Sequence, residues 1–423
     1  MSSSSILDTL VSNANQHFDL TESRHQDQLL YLADALLELS DISSEEFIQL
    51  SLQPNSPLEF QLAVKLVCSR RYILQIQVPL DIGIVYAMWG EHNRLCEKSD
   101  HNPNGEDSLN AKMMQLNWIC NDSNVNWNLY PVDDGCPYKS YNIAKDIVKK
   151  NKKSSKVKVL HLKDGITDIQ GPLAKLASLD DSSKGGAIIF GCLKALDDKM
   201  DAIIYTDADN SVHLGQLGLI LEPFIERNVD VVLGNRKHAE SILVKQEERW
   251  GIGIKTLRHM QRMVGSEIFS KGIYDTQAAY KLFSRSALEA ILAAPTVFDF
   301  SFDTDWILAS MKEDLVIETI PFAFIDSAAE SASVVQGPMS TWLILLTGLV
   351  KALRSREVEH DIAMAKVIDE HVKSVKDLEQ IINLLPPELM EVSDKELGQH
   401  TLMSPESLSK WLTEVKSEHI RIQ

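Results

Sequence analysis

Short apolar runs alternate with longer polar or helix-forming stretches through the middle of this chain. The runs are Ile82–Met88, Trp127–Val132, Val157–Leu162, Ala202–Thr206 and Val229–Gly234. Alternation of this kind is typical of βα units, whose strands pair in parallel and whose helices cover the faces of the sheet. The sequence therefore predicts an α/β fold of the Rossmann-like type, with a mostly parallel sheet flanked by helices.

Helix-like segments precede and follow this alternating region. The segments with apolar residues at helical spacing or with helix-start signals are Gln28–Ser40, Ser43–Glu46, Pro57–Arg70, Arg356–Val372, Val375–Leu385 and Ser404–Val415. We therefore expect three parts in the chain: an N-terminal helical extension (1–77), an α/β core (78–335) and a C-terminal helical extension (336–423).

Charge and cysteine usage limit the function and the setting. The formal net charge of −18 argues against a nucleic-acid binder, because affinity for a polyphosphate depends on clustered Lys and Arg. The five cysteines are scattered and form no CxxC pair, so neither a disulfide framework nor a zinc site is favoured. The first residues lack the basic and long apolar regions of an export signal. We expect a reduced, cytoplasmic setting.

One apolar stretch raises the question of membrane contact. Trp342–Val350 is much shorter than the roughly 20 residues that span a bilayer, and Thr347 and Gly348 interrupt it. Two interpretations stay open, namely burial in the core and peripheral contact of Trp342–Arg354 with a membrane surface.

Two acidic pairs follow apolar runs. Asp207 and Asp209 end the run Ala202–Thr206, at the edge where α/β sheets bind their ligands. Side chains two residues apart in an extended chain share a face, so both carboxylates can bind one hard divalent cation. The pair Asp133-Asp134 precedes a glycine and could hydrogen-bond a nucleobase or ribose. A plain turn or helix cap is the alternative for each pair.

A series of motifs in fixed order resembles a known family. The motifs are Tyr130-Pro-Val-Asp-Asp-Gly135, Lys184-Gly-Gly-Ala187, Tyr205-Thr-Asp-Ala-Asp-Asn210, Gly234-Asn-Arg236, Tyr274-Asp-Thr-Gln-Ala-Ala-Tyr-Lys-Leu-Phe283, Phe302-Asp-Thr-Asp305 and Glu318-Thr-Ile-Pro321. Together they resemble family 2 glycosyltransferases of the GT-A fold, and most of all the dolichyl-phosphate mannose and glucose synthases. The resemblance covers the core and neither extension.

The resemblance implies a set of donor and metal ligands. The residues implied to bind a nucleoside-diphosphate sugar are Asp133, Asp134, Lys184, Gly185, Asp207 and Arg236. Mn²⁺ or Mg²⁺ would be held by Asp207 and Asp209, with Ser211 at a position where the synthases often have Gln. The small residues after Lys184 would let the backbone approach phosphate.

The resemblance also implies acceptor and catalytic residues. Asp303 would be the general base, Asp305 the second candidate, and Asp275 part of the acceptor-side motif. The residues implied to contact the acceptor are Gln277, Arg236 and Arg249. The reaction implied is inverting transfer of a hexose to a hydroxyl or a (lipid) phosphate.

Two other functions compete with this one. A sugar-phosphate nucleotidyltransferase would need a Gly-rich loop with Arg after the first strand, whereas Ala87-Met-Trp-Gly-Glu91 supplies one Gly. A non-catalytic nucleotide-sugar-binding scaffold is the other alternative, and the intact Asp207, Asp209 and Asp303 argue against it. The helical extensions could dimerise the chain or cap the core.

Overall fold

The structure, a computed structural model, describes residues 2–151, 154–167, 170–245, 251–326 and 337–422. Strands in these residues are β1 (Leu80–Met88), β2 (Val125–Asp133), β3 (Leu160–His161), β4 (Ala202–Thr206), β5 (Val231–Gly234), β6 (Ile242–Val244), β7 (Tyr280–Ser284), β8 (Ile317–Ile320) and β9 (Ala323–Ile325). Helices in the first half are α1 (Ser3–Asn13), α2 (Ser23–Leu37), α3 (Ser44–Ser51), α4 (Leu58–Ile73), α5 (Ser108–Cys120), α6 (Ser140–Lys150), α7 (Gly185–Asp197) and α8 (Leu217–Glu226). Helices in the second half are α9 (Ile254–Val264), α10 (Ser266–Phe269), α11 (Arg285–Leu292), α12 (Phe302–Lys312), α13 (Pro338–Ser355), α14 (Ile362–His371), α15 (Val375–Glu379) and α16 (Pro405–Ile422).

The main sheet of the described residues has the strand order β3-β2-β1-β4-β7-β5-β8. Every neighbouring pair is parallel except those of β7, which runs antiparallel to both β4 and β5. The predicted α/β fold with a mostly parallel sheet is confirmed. The strand order reverses between β1 and β4, and folds of this kind bind their ligands beside the carboxyl ends of the strands at such a reversal.

Both faces of the sheet are covered by apolar packing. Ile203 and Tyr205 of β4 belong to one buried cluster with α7, α11 and α12, whereas Ile204 belongs to the other with α5 and α8. Gly191 lets α7 approach β1, because a Cβ atom at this position would lie 2.4 Å from Val85 Cγ1. A fully covered sheet of this kind has a rigid edge on which to place a site.

The N-terminal helices pack against this core. Ser43 and Glu46 form the predicted capping box at the start of α3. The backbone of Gly218 in α8 lies against α4, where its N–H donates to Ser69 Oγ at 2.7 Å. The small second sheet, in which β6 and β9 pair in parallel, contributes Ala323 and Ile325 to the apolar cluster of the N-terminal helices.

The C-terminal helices cover the α7 face. Leu346, Leu349 and Leu353 of α13 are each 0 % exposed and share the cluster of that face. The stretch from Trp342 is therefore buried in the core, which decides between the two interpretations given above. No helix in the described part of the chain is both long and apolar enough to cross a bilayer. Because both extensions share apolar clusters with the core, the domain boundaries at 77/78 and 335/336 stay predictions.

A buried ion pair ties α12 to the end of α13. Asp305 is 0 % exposed, and Arg356 donates to its two oxygens at 2.6 and 2.9 Å. The backbone N–H of Thr296 donates to the same carboxylate at 3.0 Å. These partners hold Asp305 in the core, and its role as the alternative base stays a prediction.

We predict that Asp305→Ala destabilises the fold strongly. Removal of the carboxylate leaves the Arg356 guanidinium buried without its partner, which costs about 3–5 kcal/mol in the free energy of unfolding. Urea unfolding followed by circular dichroism measures this change. Asp369→Ala is the matched control, because Asp369 pairs with Arg354 where both side chains are 48 % exposed, and should cost less than about 1 kcal/mol. Equal effects of the two substitutions would contradict the prediction.

Candidate functional site

The loop after β4 carries the predicted metal ligands at the carboxyl edge of the sheet. The Asp207 side chain is 31 % exposed, and its Oδ1 lies 2.5 Å from Lys184 Nζ. Burial acts to raise the pKa of Asp207, but the Lys184 ammonium outweighs burial and holds that pKa below its usual value. Asp209 is half-buried, and its Oδ1 accepts the N–H of Ser211 at 3.0 Å. Both carboxylates thus lie at the open side of one short loop.

Buried charged residues hold this loop from beneath. Lys112 of α5 is 0 % exposed and donates to the carbonyl of Asp209 at 2.5 Å. Burial lowers the pKa of its ammonium, whereas the surrounding carboxylates oppose that shift. Glu106 accepts the N–H of Asn210 at 2.9 Å and pairs with Arg94 at 3.1 Å. The positions of Asp207 and Asp209 therefore depend on an α5 lysine and a loop carboxylate.

Sequence reasoning missed Arg94, Glu106 and Lys112. They lie about a hundred residues before the loop that they hold, so no local motif connects them to it. The one signal was a lysine in the middle of the apolar surface of α5, where a charge is costly unless it has partners.

The Asp133-Asp134 pair holds two loops. Asp133 is 2 % exposed and accepts the backbone N–H groups of Gly135, Cys136 and Tyr141, each at 3.0 Å. Asp134 accepts Ser182 Oγ at 2.5 Å and the N–H of Lys184 at 2.6 Å. The carboxylates thus shape the loop after β2 and join it to the turn before α7, while a contact of Asp133 with a base or ribose stays a prediction.

The turn before α7 is fixed on both sides. Lys184 has a φ of +83°, which is unusual for a residue with a side chain. Next to it, Gly185 lies so close to Phe298 that a Cβ atom would be 2.6 Å from the Phe298 carbonyl oxygen. Gly186 donates to that same oxygen at 2.9 Å. The Lys184 side chain therefore leaves a backbone that is held in place.

Arg236 and Asp275 form a bidentate pair. Arg236 Nε and Nη2 lie 2.9 and 2.7 Å from the two oxygens of Asp275, and the Arg236 N–H donates to the same group at 2.8 Å. The Arg236 pair holds the pKa of Asp275 below its usual value, against the effect of burial. Arg236 also faces Phe324 at 5.1 Å. Asp275 thus orients Arg236, and the structure brings the two motif residues together.

Asp303 pairs with a buried lysine. Lys281 Nζ lies 2.6 Å from Asp303 Oδ1, 2.8 Å from the Tyr205 hydroxyl and 2.6 Å from the Ala278 carbonyl. Burial raises the pKa of the Asp303 carboxyl and lowers that of the Lys281 ammonium. Both shifts reduce the free energy needed to move a proton between the two groups. Lys281 is part of the motif Tyr274–Phe283, but its role as the partner of Asp303 was not predicted from the sequence.

Of the two other residues that are predicted to contact the acceptor, Gln277 is among the described residues and Arg249 is not. Gln277 is half-buried, and its Oε1 is enclosed and has no hydrogen-bond partner within the part of the chain that the structure describes. Arg249 lies outside the described residues.

Residues 116–292 match the family model described as glycosyl transferase family 2. The match covers less than half of the chain. The glycosyltransferase predicted from the motifs is confirmed by this match at the level of the family, whereas the branch of dolichyl-phosphate synthases stays a prediction. The matched glycosyltransferase region includes Lys184, the Asp207–Ser211 loop, Arg236 and Asp275. Lys112 and Asp303 complete the site from outside it.

The chain is also similar to solved structures of glycosyltransferases at low identity. A mannosyl-3-phosphoglycerate synthase from Rubrobacter xylanophilus is 12 % identical with a TM-score of 0.46, over 70 % of this chain and 80 % of that one. A glucosyl-3-phosphoglycerate synthase from Mycobacterium tuberculosis, in complex with Mn²⁺, UDP and glucosyl-3-phosphoglycerate, is 12 % identical with a TM-score of 0.45, over 70 % and 85 %. The mannosyltransferase PcManGT from Pyrobaculum calidifontis, in complex with GDP-Man and Mn²⁺, is 12 % identical with a TM-score of 0.37, over 84 % and 82 %.

The two carboxylates of the glycosyltransferase loop fit a hard divalent cation. Asp207 already holds the cationic Nζ of Lys184, so this carboxylate accepts a positive charge at the open side of the loop. The Ser211 hydroxyl is enclosed and has no hydrogen-bond partner among the described residues, so it reaches such an ion only if the loop moves. Among residues that the structure describes, no group of three or more His, Cys, Asp or Glu could hold a metal. Oxygens of a bound nucleotide and water would complete the shell, as is usual for Mg²⁺-type ions.

We predict that Lys112→Met weakens binding of nucleotide with metal. The substitution keeps the volume of the side chain but removes the hydrogen bond to the Asp209 carbonyl, and loss of a partner behind a metal ligand typically costs about 10–100-fold in affinity. Titration calorimetry with Mn²⁺ and GDP or UDP measures the change. Asn117→Ala, on the same helix and half-buried, is the control and should leave affinity unchanged. A folded Lys112→Met protein with the affinity of the wild type would contradict the prediction.

We predict that donor binding weakens as the pH falls through about 6. Burial raises the pKa of Asp134 to about 6, and protonation takes away an acceptor from the turn at Lys184. Affinity should fall by up to about tenfold per pH unit below this pKa. The effect on stability has the opposite sign, because a raised folded-state pKa makes ionisation of Asp134 destabilising as the pH rises from about 4 to about 6.

Asp134→Asn separates this effect from other groups that titrate nearby. The variant cannot ionise at residue 134, so its affinity for a nucleoside diphosphate should be less dependent on pH between 5 and 8. Parallel pH profiles for wild type and variant would show that Asp134 is not the responsible group.

Proposed function

We propose that this chain is an inverting glycosyltransferase that moves a hexose from a nucleoside-diphosphate sugar to an acceptor hydroxyl or phosphate, with Mn²⁺ or Mg²⁺. The observation that carries the proposal is the convergence of Asp207, Asp209 and Lys184 at the carboxyl edge of β4, within a family 2 glycosyltransferase region. Two open carboxylates and one ammonium at a topological switch point suit a metal-bound diphosphate.

The donor half of the site is proposed around these groups. Asp207 and Asp209 would hold the divalent ion, whose charge stabilises a departing nucleoside diphosphate when it is bound. Lys184 supplies a further positive charge beside Asp207. Gly185 begins α7, packed against Phe298, and the positive end of this helix would attract a phosphate.

An aromatic group beside β1 is proposed to receive the nucleobase. Tyr138 is 52 % exposed, stacks on His92 with ring centroids 4.8 Å apart, and meets the edge of Trp89 at 6.2 Å. The hydrogen bonds of Asp133 shape the loop that carries Tyr138. A partly exposed ring on a fixed loop offers a face for base stacking.

The acceptor half is proposed around Asp303 and Arg236. Asp303 would take the proton of an acceptor hydroxyl as the acceptor oxygen forms its bond to the anomeric carbon and the bond to the diphosphate breaks. The raised pKa that burial gives Asp303 makes it a stronger base than an exposed carboxylate. Arg236, oriented by Asp275, and Gln277 would position the acceptor, together with Arg249 if the prediction for that residue is right. An acceptor phosphate, already ionised, would need no base.

The test of this proposal is an assay of released products. The chain is incubated with GDP- and UDP-sugars and Mn²⁺, with candidate hydroxyl and phosphate acceptors. Transfer releases a nucleoside diphosphate, a nucleotidyltransferase releases pyrophosphate, and a scaffold releases neither. Release of pyrophosphate, or of nothing in a screen that covers both acceptor classes, would overturn the proposal.

We predict that Asp209→Asn lowers the rate of transfer by about 100-fold or more, as removal of one group that stabilises transition-state charge commonly does. Metal-dependent binding of the nucleoside diphosphate should be lost with it, because one ligand of the ion is neutralised. Thermal shift with GDP or UDP, with and without Mn²⁺, measures this binding. Asp197→Asn is the matched control, since the Asp197 side chain is 66 % exposed on α7. Full transfer by Asp209→Asn would contradict the metal site.

A further inference from the structure

The Lys184 ammonium forms an ion pair with Asp207, one of the two carboxylates that are proposed to bind the metal. Nζ lies 2.5 Å from Asp207 Oδ1, and the two side chains are 20 % and 31 % exposed. The contact is therefore partly shielded from water, and an ion pair in such a place is stronger than one on an open surface. A divalent ion that binds Asp207 must displace this ammonium or share the carboxylate with it.

The backbone of Lys184 directs the side chain to this place. Its φ is +83°, which a glycine would adopt freely and which costs a lysine free energy. The Lys184 N–H is held by Asp134 Oδ2 at 2.6 Å, and the next residue is closely packed against Phe298. Since the main chain cannot turn, only the four-carbon side chain is left to move the charge.

The surroundings of Nζ give the charge a short path away from Asp207. Nζ lies 5.1 Å from the centre of the Phe300 ring, a face that attracts a cation. Burial acts to lower the pKa of the Lys184 ammonium, but the charges of Asp207 and Asp303 oppose burial and raise that pKa. A rotation of the side chain can therefore move the ammonium from Asp207 towards the Phe300 ring while it stays charged.

We infer that Lys184 is the counter-ion of Asp207 before the donor binds. When the metal binds Asp207, the Lys184 ammonium moves from this carboxylate to the donor diphosphate. The inference rests on the proposed function and adds to it that the metal and the diphosphate bind cooperatively. Metal alone must compete with the ammonium for Asp207. A diphosphate without the metal is repelled by the two carboxylates, Asp207 and Asp209. When both bind, the ion takes the carboxylates and Lys184 takes a phosphate oxygen, so each ligand strengthens binding of the other.

The charges of the groups give the sign of this coupling. Asp207, Asp209 and Lys184 together carry one net negative charge, and loss of the lysine charge makes this two. Mn²⁺ alone should then bind more tightly to a variant without the ammonium, because its competitor is gone and the site is more negative. The diphosphate should bind that variant more weakly. Coupling is reciprocal, so either ligand can be used to measure it.

The experiment measures Mn²⁺ binding to the full chain with and without a diphosphate. Mn²⁺ is titrated by electron paramagnetic resonance, alone and in the presence of saturating GDP, UDP or inorganic pyrophosphate. In the wild type the diphosphate should tighten Mn²⁺ binding by about 10-fold or more, within the usual range of coupling between two sites. In Lys184→Gln, Mn²⁺ alone should bind several-fold more tightly, and the coupling should fall to about 3-fold or less.

Three further variants control for charge, position and folding. Lys184→Arg keeps the positive charge and should keep the coupling. Lys194→Gln removes a lysine of α7 that pairs with Asp197 at the surface and lies 5.6 Å from the centre of the Phe190 ring, and should behave as wild type. Lys184→Gly removes the side chain and relieves the positive φ, so it should fold and should lose the coupling as Lys184→Gln does.

The outcomes separate the inference from the function on which it rests. If Mn²⁺ binds the wild type in no condition, the proposed function fails and the inference fails with it. If the wild type shows metal-dependent binding of a diphosphate but Lys184→Gln and Lys184→Gly show the same coupling, the inference alone is wrong. Loss of coupling in both, with retention in Lys184→Arg and Lys194→Gln, supports it.

Discussion

Pairing of acidic with basic groups at the carboxyl edge of the sheet is the interaction on which the site depends. In this acidic chain with a net charge of −18, carboxylates gather at one edge of the sheet, where Asp275 and Asp303 are buried and Asp207 is partly exposed. Each has a cationic or N–H partner at short distance: Asp207 with Lys184, Asp275 with Arg236 and Asp303 with Lys281. Without partners, buried carboxylates would take up protons and lose their charge. The pairs of Asp207 and Asp275 therefore keep these two carboxylates charged, and all three pairs fix the direction of the side chains.

The fold could be predicted further than the site. β4 was found over its whole length, because an uninterrupted apolar run ends at Thr206 where the acidic loop begins. β7 and β8 were not found as strands, since Lys281 and Glu318 interrupt their apolar pattern. β3 was predicted over six residues, but the strand consists of Leu160 and His161 alone. Before it, Val157 forms an isolated bridge to Leu129 of β2, and after it the chain turns into a short 3-10 helix.

Within the site, the sequence identified residues by type and order but not by partner. The motifs placed Asp303 and Asp305 in one short stretch. The two residues are two positions apart on α12, so their side chains leave different sides of the helix. Asp303 contacts Lys281 at the sheet, whereas Asp305 points to Arg356 and the C-terminal helices. Lys112 holds the Asp209 carbonyl from an element that precedes it by almost a hundred residues, and no spacing rule reaches that far. Such pairings are products of the packed sheet and can be read only from it.

The antiparallel direction of β7 has a consequence for how the two halves of the site are built. Parallel strands reach the ligand edge with their last residues, so the Asp133-Asp134 pair and the Asp207–Ser211 loop, which are proposed to bind the donor and its metal, follow β2 and β4 in the chain. β7 reaches the same edge with its first residue, Tyr280, which lies opposite Thr206 at the end of β4. Asp275 and Gln277 therefore enter the site before their strand and not after it. Insertions or exchanges in the segment before β7 can reshape the acceptor side while the donor loops, which grow from other strand ends, keep their anchor points.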